Sequence, residues 1–277
     1  MIFVTDKGRM ANNIFQYGHL YAWGREHNRK TMSMRFAHKY PEFRIAHTRY
    51  HNAVVYVLAK MAAKLHVIPT VDFNLGQTQE KEPMLKAHRH ILATGWGVRF
   101  NDLFLKYKDE IVQLFDFMPY VRKKVAQTMQ PSTIGSIKLG VHIRRGDYKQ
   151  HLGGRFFYND DEYVDVIRQF ALLHPEKQVD AYICTDDRQL NQDFFRQQLP
   201  QLRLFFPSGT AAEDLCLLSE CNYLIGPLSS FTLIASMYHN TPLYWMMNRP
   251  EVLTPDSFRP FDYHIYHFDA NFAAPEQ

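Results

Sequence analysis

From Ile137 to Met246 the chain alternates without interruption between short apolar runs and amphipathic stretches, and this alternation limits the fold more than any other feature. The runs "IKLGVHI", "VDAYICT", "LRLFF", "NYLIG" and "PLYWM" have the length and residue types of strands. Between them, "DDEYVDVIRQFALLH", "RQLNQDFFRQQL", "AEDLCLLSE" and "SFTLIASMYH" have helical spacing. Strands separated by helices of about 10 to 15 residues form βαβ units, and these assemble into a parallel sheet flanked by helices.

The first half opens in the same manner. "MIFVTDKGRMANNIFQYGHLYAWGREHNRKTMSMRF" reads as a strand, a polar turn containing Gly8, a helix from about Asn12 to about His27 and a strand at 31–36. "NAVVYVLAKMAAKLH" is a second amphipathic helix with Lys60 and Lys64 on one face, read as core packing in preference to membrane docking. "HILATGWG" suggests a further strand and "NDLFLKYKDEIVQLFDF" a further helix. Pro131 and Gly135 in "MQPSTIGS" mark the best boundary, which gives an α/β domain over 1–130 and a second over 131–277. A chain of 277 residues with 46% apolar content can supply a core to each.

The net charge of +4 is unevenly spread. Residues 1–130 carry about 20 Lys and Arg against about 10 Asp and Glu, so the first half is basic and the second acidic. A basic half suits an anionic partner, such as phospholipid headgroups or a phosphorylated glycan carrier. Its basic residues are scattered and no nucleic-acid-binding motif occurs, so nucleic acid is not an expected partner. Cys184, Cys216 and Cys221 show no Cys-x-x-Cys pattern and no His/Cys ligand spacing, which fits reduced thiols and a cytoplasmic protein and argues against a structural zinc. Lys7 and Arg9 interrupt the opening before a signal-peptide core could form, and no apolar run approaches the roughly 18 residues that span a bilayer.

In an open parallel sheet, ligands bind at the carboxyl ends of the strands. Three polar clusters fall at such ends: His142-Ile143-Arg144-Arg145-Gly146-Asp147, Thr185-Asp186-Asp187, and Pro227-Leu228-Ser229-Ser230-Phe231. The planar fork of arginine matches phosphate oxygens, so Arg144 and Arg145 could neutralise a diphosphate. Ser229 and Ser230 fall where a helix begins, and free N–H groups there favour an anion. Asp186 or Asp187 can accept hydrogen bonds from a base or ribose, and His142 can donate one. Singly, each motif is an ordinary surface turn or helix cap. Together, in this order and each after a strand, they read as a nucleotide-diphosphate site. Neither Gly-x-x-x-x-Gly-Lys-Ser/Thr nor Gly-x-Gly-x-x-Gly occurs, and no Asp-x-Asp metal site stands out, so arginines rather than a divalent cation are expected to carry the phosphate charge.

"HIRRGDY", then "TDD", then "LCLLSECNYLIGPLSSFTLIASMYH", preceded near the start by "KGRMANNIFQYG", resembles the bacterial α-1,2-fucosyltransferases of glycosyltransferase family 11. It is also similar to the wider superfamily they form with α-1,6- and protein O-fucosyltransferases. The resemblance runs from residue 7 to about 240. It implies a B-type glycosyltransferase of two Rossmann-like domains, with GDP-fucose held by the C-terminal one and transferred with inversion, without a metal or other cofactor, to a glycan or lipid-linked oligosaccharide in surface polysaccharide synthesis. By the same resemblance Arg144 grips the β-phosphate, His142 lies beside the nucleotide, Asp187 contacts guanine, and Ser229, Ser230 and Phe231 form the phosphate turn. Arg145, Asp147 and Asp186, from the same clusters, are read as further donor-site residues. Gly8 and Asn12 match the first domain's cleft loop, with Asn12 in a catalytic position.

The sequence departs from the family pattern in two places. "PLSSFTLIAS" lacks the usual Asn before and Ser and Trp pair after the Ser-Ser-Phe, and "ANN" has Ala11 where a glycine is typical. These flanks bear on linkage first and on the sugar second, and the altered loop supports a competing reading, a nucleotide-sugar-binding module that has lost transfer. The general base is open among Asp6, Asp147 and Glu213. Trp96, Phe100 and "FDYHIYHF" could floor a sugar site but are read as core. Peripheral contact with the inner face of a membrane, through the basic half, is a further expectation.

Overall fold

Short β-branched and aromatic runs in the first half form strands of three or four residues, so each is held by its neighbours and by the helices packed on it more than by its own ladder. The computed structural model describes residues 1–5, 7–33, 36–130, 135–247 and 252–273. The chain divides into two units, Met1–Pro119 and Tyr120–Gln277.

The first unit contains β1 (Ile2–Val4), β2 (Thr31–Ser33), β3 (Thr70–Asp72) and β4 (Ile91–Thr94), all parallel, in the order β2-β1-β4-β3. Helix Met10–Glu26 follows β1 and buries most of its circumference, including Phe15, Leu20 and Trp23. It begins two residues before the expected start. The strand expected over 31–36 ends at Ser33, Met34 and Arg35 lie outside the described residues, and Phe36 opens a helical turn. The helix expected across 101–117 is two helices, Asn101–Lys106 and Lys108–Leu114, divided at Tyr107. Strand β3 and helix Thr78–Ala87, which carries Pro83, complete the unit.

The second unit is built on β5 (Ile137–Ile143), β6 (Val179–Thr185), β7 (Arg203–Phe205), β8 (Tyr223–Pro227) and β9 (Leu243–Met246). All five are parallel in the order β7-β6-β5-β8-β9. Helices Asp160–Leu172 and Ala211–Ser219 both start with capping boxes, Asn159 with Glu162 and Thr210 with Glu213, which satisfy the first free N–H groups. The C-terminal aromatic stretch forms helix Phe261–Ala273, which buries Phe261, Ile265 and Phe268.

The division falls earlier than the expected break after residue 130. Helix Pro119–Met129 buries Val121, Val125 and Met129. Its Arg122 and Lys124 pair with Glu220 and Glu213 at 3.1 and 2.7 Å, which ties it to the second unit. The Pro-containing stretch 131–134, on which the expected boundary rested, lies outside the described residues.

Strand β5 is central. The chain adds β6 and β7 on one side of it, then β8 and β9 on the other, so the order reverses between β5 and β8. At such a switch point the connections leave in opposite directions and open a crevice at the carboxyl edge.

Candidate active site

The three polar clusters leave the carboxyl ends of adjacent strands: residues 144–147 after β5, 186–187 after β6, and 228–231 after β8. The sheet order therefore brings together His142, Arg144, Arg145, Asp147, Asp186, Asp187, Ser229, Ser230 and Phe231. Gly8 and Asn12 belong to the other unit.

Arg144 is the best-held cation of the cluster. Its Nη1 lies 2.7 Å from Asp186 Oδ2 and its Nη2 donates to Asp147 Oδ1 at 2.6 Å. Its guanidinium sits 5.4 Å from the Tyr148 ring centroid, and its side chain is 13% exposed. Asp186 has a second task, because its Oδ1 accepts from the backbone N–H groups of Arg145 and Gly146 at 2.9 and 3.3 Å. The turn admits that carboxylate only because residue 146 is glycine; a Cβ there would stand 2.6 Å from Asp186 Oδ2.

Arg145 points to different partners. It donates to Asp160 at the start of helix Asp160–Leu172, lies 3.9 Å from Asp187 and packs over Phe157. Asp187 shapes its own turn: its N–H donates to Thr185 Oγ1 and its Oδ1 accepts from the Gln189 N–H. The two arginines thus have four carboxylates around them, of which Asp147 is the most exposed, at 53% of its side chain.

His142, on β5, is buried and stacks on Phe231 with centroids 4.7 Å apart. Burial first, and then the Arg144 charge, hold its imidazole down at about 3 against the opposing pull of Asp186. It is neutral at physiological pH, and its buried Nδ1 lacks a hydrogen-bond partner. Ser229 is the N-cap of helix Ser230–Met237: its hydroxyl accepts from the Thr232 N–H at 3.3 Å. Ser230 begins that helix and Phe231 stacks on His142, and in the β5 turn Tyr148 donates its hydroxyl to the Leu228 carbonyl just before the helix.

A titratable group that the sequence reading passes over is Asp214, in the first turn of helix Ala211–Ser219. Its carboxyl shares a hydrogen bond with Cys184, and Cys184 is the register partner of His142, so both lie on one face of the sheet. Burial, and then repulsion from Glu213, push Asp214 up to about 7. A half-buried carboxyl whose titration is moved up to near pH 7 beside a strand end is a functional-site signal, but in sequence it sits inside an amphipathic helix and looks like a solvated acid.

In the first unit, Gly8 has a φ of +85°, and a Cβ there would meet Asn12 Nδ2 at 2.7 Å. Asn13 staples the loop, accepting from the Lys7 N–H at 2.7 Å. Gln16 donates to the Thr5 carbonyl. Of the base candidates, Asp6 lies outside the described residues. Glu213 is engaged by the Thr210 N–H and the Lys124 ammonium, and Asp147 by Arg144. Among the described residues no group of three or more His, Cys, Asp or Glu could hold a metal. Of the aromatic candidates, Trp96 and Phe100 are half-buried, with Phe100 6.3 Å from Trp23 and Arg99 covering Trp96 at 4.8 Å, while in the C-terminal stretch Phe261 and Phe268 are buried and Tyr263 and Tyr266 exposed.

Two parallel α/β units, with polar groups gathered at a switch point of the second, have the architecture of B-type glycosyltransferases. The family model for glycosyl transferase family 11 matches residues 1–241, and the chain belongs to that family. No curated protein matches it in sequence. Its fold is similar to that of the R284K mutant of Arabidopsis thaliana FUT1 in complex with GDP, at TM-score 0.63 and 12% identity, covering 94% of this chain and 73% of that one. NodZ α-1,6-fucosyltransferase soaked with GDP-fucose aligns at TM-score 0.58 and 13% identity, over 91% and 97% of the two chains. POFUT1 in complex with GDP-fucose aligns at 0.56 and 10%, over 87% and 95%.

Proposed function

We propose that this protein transfers fucose from GDP-fucose to a glycan hydroxyl, with inversion and without a metal ion, forming an α-1,2 linkage in the synthesis of a surface polysaccharide or related glycan. The observation that carries the reading is Arg144, braced by Asp186 at the end of the central strand, whose neighbour β8 leads into the N-terminus of helix Ser230–Met237. Family membership and the GDP and GDP-fucose complexes of FUT1, NodZ and POFUT1 support the choice of donor.

The chemistry follows from charge. As the bond from fucose to the β-phosphate breaks, the sugar becomes oxocarbenium-like and negative charge grows on the departing GDP. A guanidinium fixed at those oxygens stabilises that state more than the ground state. Asp186 holds Nη1, and the exposed Asp147 yields Nη2 to the phosphate. Asp160 and Asp187 occupy Arg145, so on this reading Arg145 orders the turn and Arg144 carries the phosphate. Neutral His142, with Nδ1 unpaired, offers one hydrogen bond toward the nucleotide.

For the base, Asp214 is a better candidate than Asp187, which is committed to its own turn. An ionised Asp214 would accept the paired N–H donors of guanine, and uracil does not offer that pair.

The test is release of GDP from GDP-fucose with galactoside-terminated glycans as acceptors, and assignment of the product linkage by NMR. Transfer with inversion, unaffected by EDTA, is the expected result. Tight GDP binding with neither transfer nor hydrolysis across the acceptors would overturn it in favour of a nucleotide-sugar-binding module.

A further inference from the structure

Helix Ala53–Lys64 is apolar on two faces. Val55, Tyr56, Ala59 and Ala63 pack on a cluster containing Phe3, Met32 and Leu92 on the first unit's sheet. The opposite face carries Val54, Val57, Leu58 and Met61, continued by Leu65 and Val67, and these six side chains are between 51% and 72% exposed. At 3.6 residues per turn, positions 54, 57, 58, 61 and 65 fall in one stripe of about 100°. Lys60 and Lys64 border it beside Val57. Asn52 caps the helix by accepting from the Val55 N–H, so the exposed face belongs to an ordered element.

The stretch of chain that carries the helix is basic. Between Glu42 and Asp72 the chain contains no acidic residue, but it holds Arg44, Arg49, Lys60 and Lys64. The packed side of the helix continues through Met1 and Met32 into an open cavity of about 610 Å³. Arg25, Arg29, Lys30 and Arg49 line that cavity. Arg25 is paired with Glu110 and Arg29 donates to backbone carbonyls. Lys30 and Arg49 pair with no carboxylate among the described residues.

We infer that this face docks on an anionic phospholipid bilayer: the stripe from Val54 to Val67 enters the headgroup–acyl boundary, and the bordering Lys60 and Lys64 take the lipid phosphates. An apolar stripe bordered by lysines, on a helix that carries no carboxylate, is the pattern of an interfacial helix. A protein partner would have to bring acidic groups to the rim as well as an apolar face to the centre, whereas an anionic bilayer supplies both at once.

The experiment is flotation of the purified chain with vesicles of phosphatidylcholine alone and of phosphatidylcholine mixed with phosphatidylglycerol. Leu58→Glu/Met61→Glu and Lys60→Glu/Lys64→Glu run in parallel, with circular dichroism melting to confirm that these exposed changes leave the fold intact. Flotation with the mixed vesicles alone, weakened by salt, is expected. Leu58→Glu/Met61→Glu should abolish it, and loss of the lysines should weaken it by at least about fivefold per charge. Absence of flotation, or flotation unchanged in Leu58→Glu/Met61→Glu, would overturn the proposal. A dimer detected by sedimentation velocity and lost in that variant would also overturn it, assigning the stripe to a second copy.

Discussion

Asp186 and Arg144 meet at 2.7 Å, and the carboxylate that holds the guanidinium also accepts the backbone N–H groups of the turn carrying it. Orientation of the arginine and conformation of the turn therefore have one cause. Asp186→Ala should cost about 2 kcal/mol of stability, since charge-assisted bonds are lost. It should also raise the GDP dissociation constant at least about tenfold. Gly146→Ala should reproduce both effects in part, because its Cβ would displace the same oxygen. Urea unfolding and calorimetry on the two variants check this; wild-type GDP affinity in Asp186→Ala would contradict it.

Asp147 competes with phosphate for Arg144. Asp147→Asn should leave Arg144 held by Asp186 and tighten GDP binding by up to about fivefold, the range of a half-exposed ion pair. The gain should shrink in high salt. Weaker binding would instead mean that Asp147 orients Arg144 for its ligand.

His142 gives a pH signature. Its folded value of about 3 lies below the ordinary imidazole value of about 6.5, so both states are neutral above pH 6.5. As pH falls below that, the unfolded chain takes up a proton that the folded chain refuses, and stability declines until about pH 3. At pH 5 this amounts to about 2 kcal/mol. His142→Gln should lose correspondingly less stability between pH 7 and 5 in paired urea melts.

Asp214 runs the other way. Its folded value of about 7 exceeds its ordinary value of 3.8. Its contribution is intact below about pH 4 and declines up to about pH 7, as the unfolded carboxyl ionises first. Asp214→Asn should remove about 2.5 kcal/mol of the stability difference between pH 5 and pH 8. The same variant should reduce the preference for GDP over UDP, and Asp187→Asn should not.

The carboxyl-edge cluster is legible in sequence because each polar motif directly follows a strand with five or more regular residues or a clear apolar run. Sheet order alone then brings the motifs together. Strand β3 carries no readable period in three residues, and Pro83 obscures helix Thr78–Ala87. Tyr107 divides one amphipathic pattern into two helices that its periodicity does not distinguish. The Arg144–Asp147 pair follows from spacing, but the Arg145–Asp160 and Arg144–Asp186 contacts require the sheet. The exposed stripe of helix Ala53–Lys64 is the converse case. Its residues are ordinary core formers, and only the packing of Ala59 and its neighbours shows which face the core uses.

The most direct test of the account is a calorimetric titration of the protein in EDTA with GDP, GDP-fucose, GDP-mannose, UDP and UDP-glucose, with Arg144→Ala and Arg144→Lys alongside. The account predicts binding of guanine nucleotides only, weakened about a hundredfold in Arg144→Ala. Arg144→Lys should restore little of it, because a point charge lacks the fork that serves Asp186 and phosphate together. No nucleotide binding, a preference for UDP, or undiminished GDP affinity in Arg144→Ala would contradict the central claim.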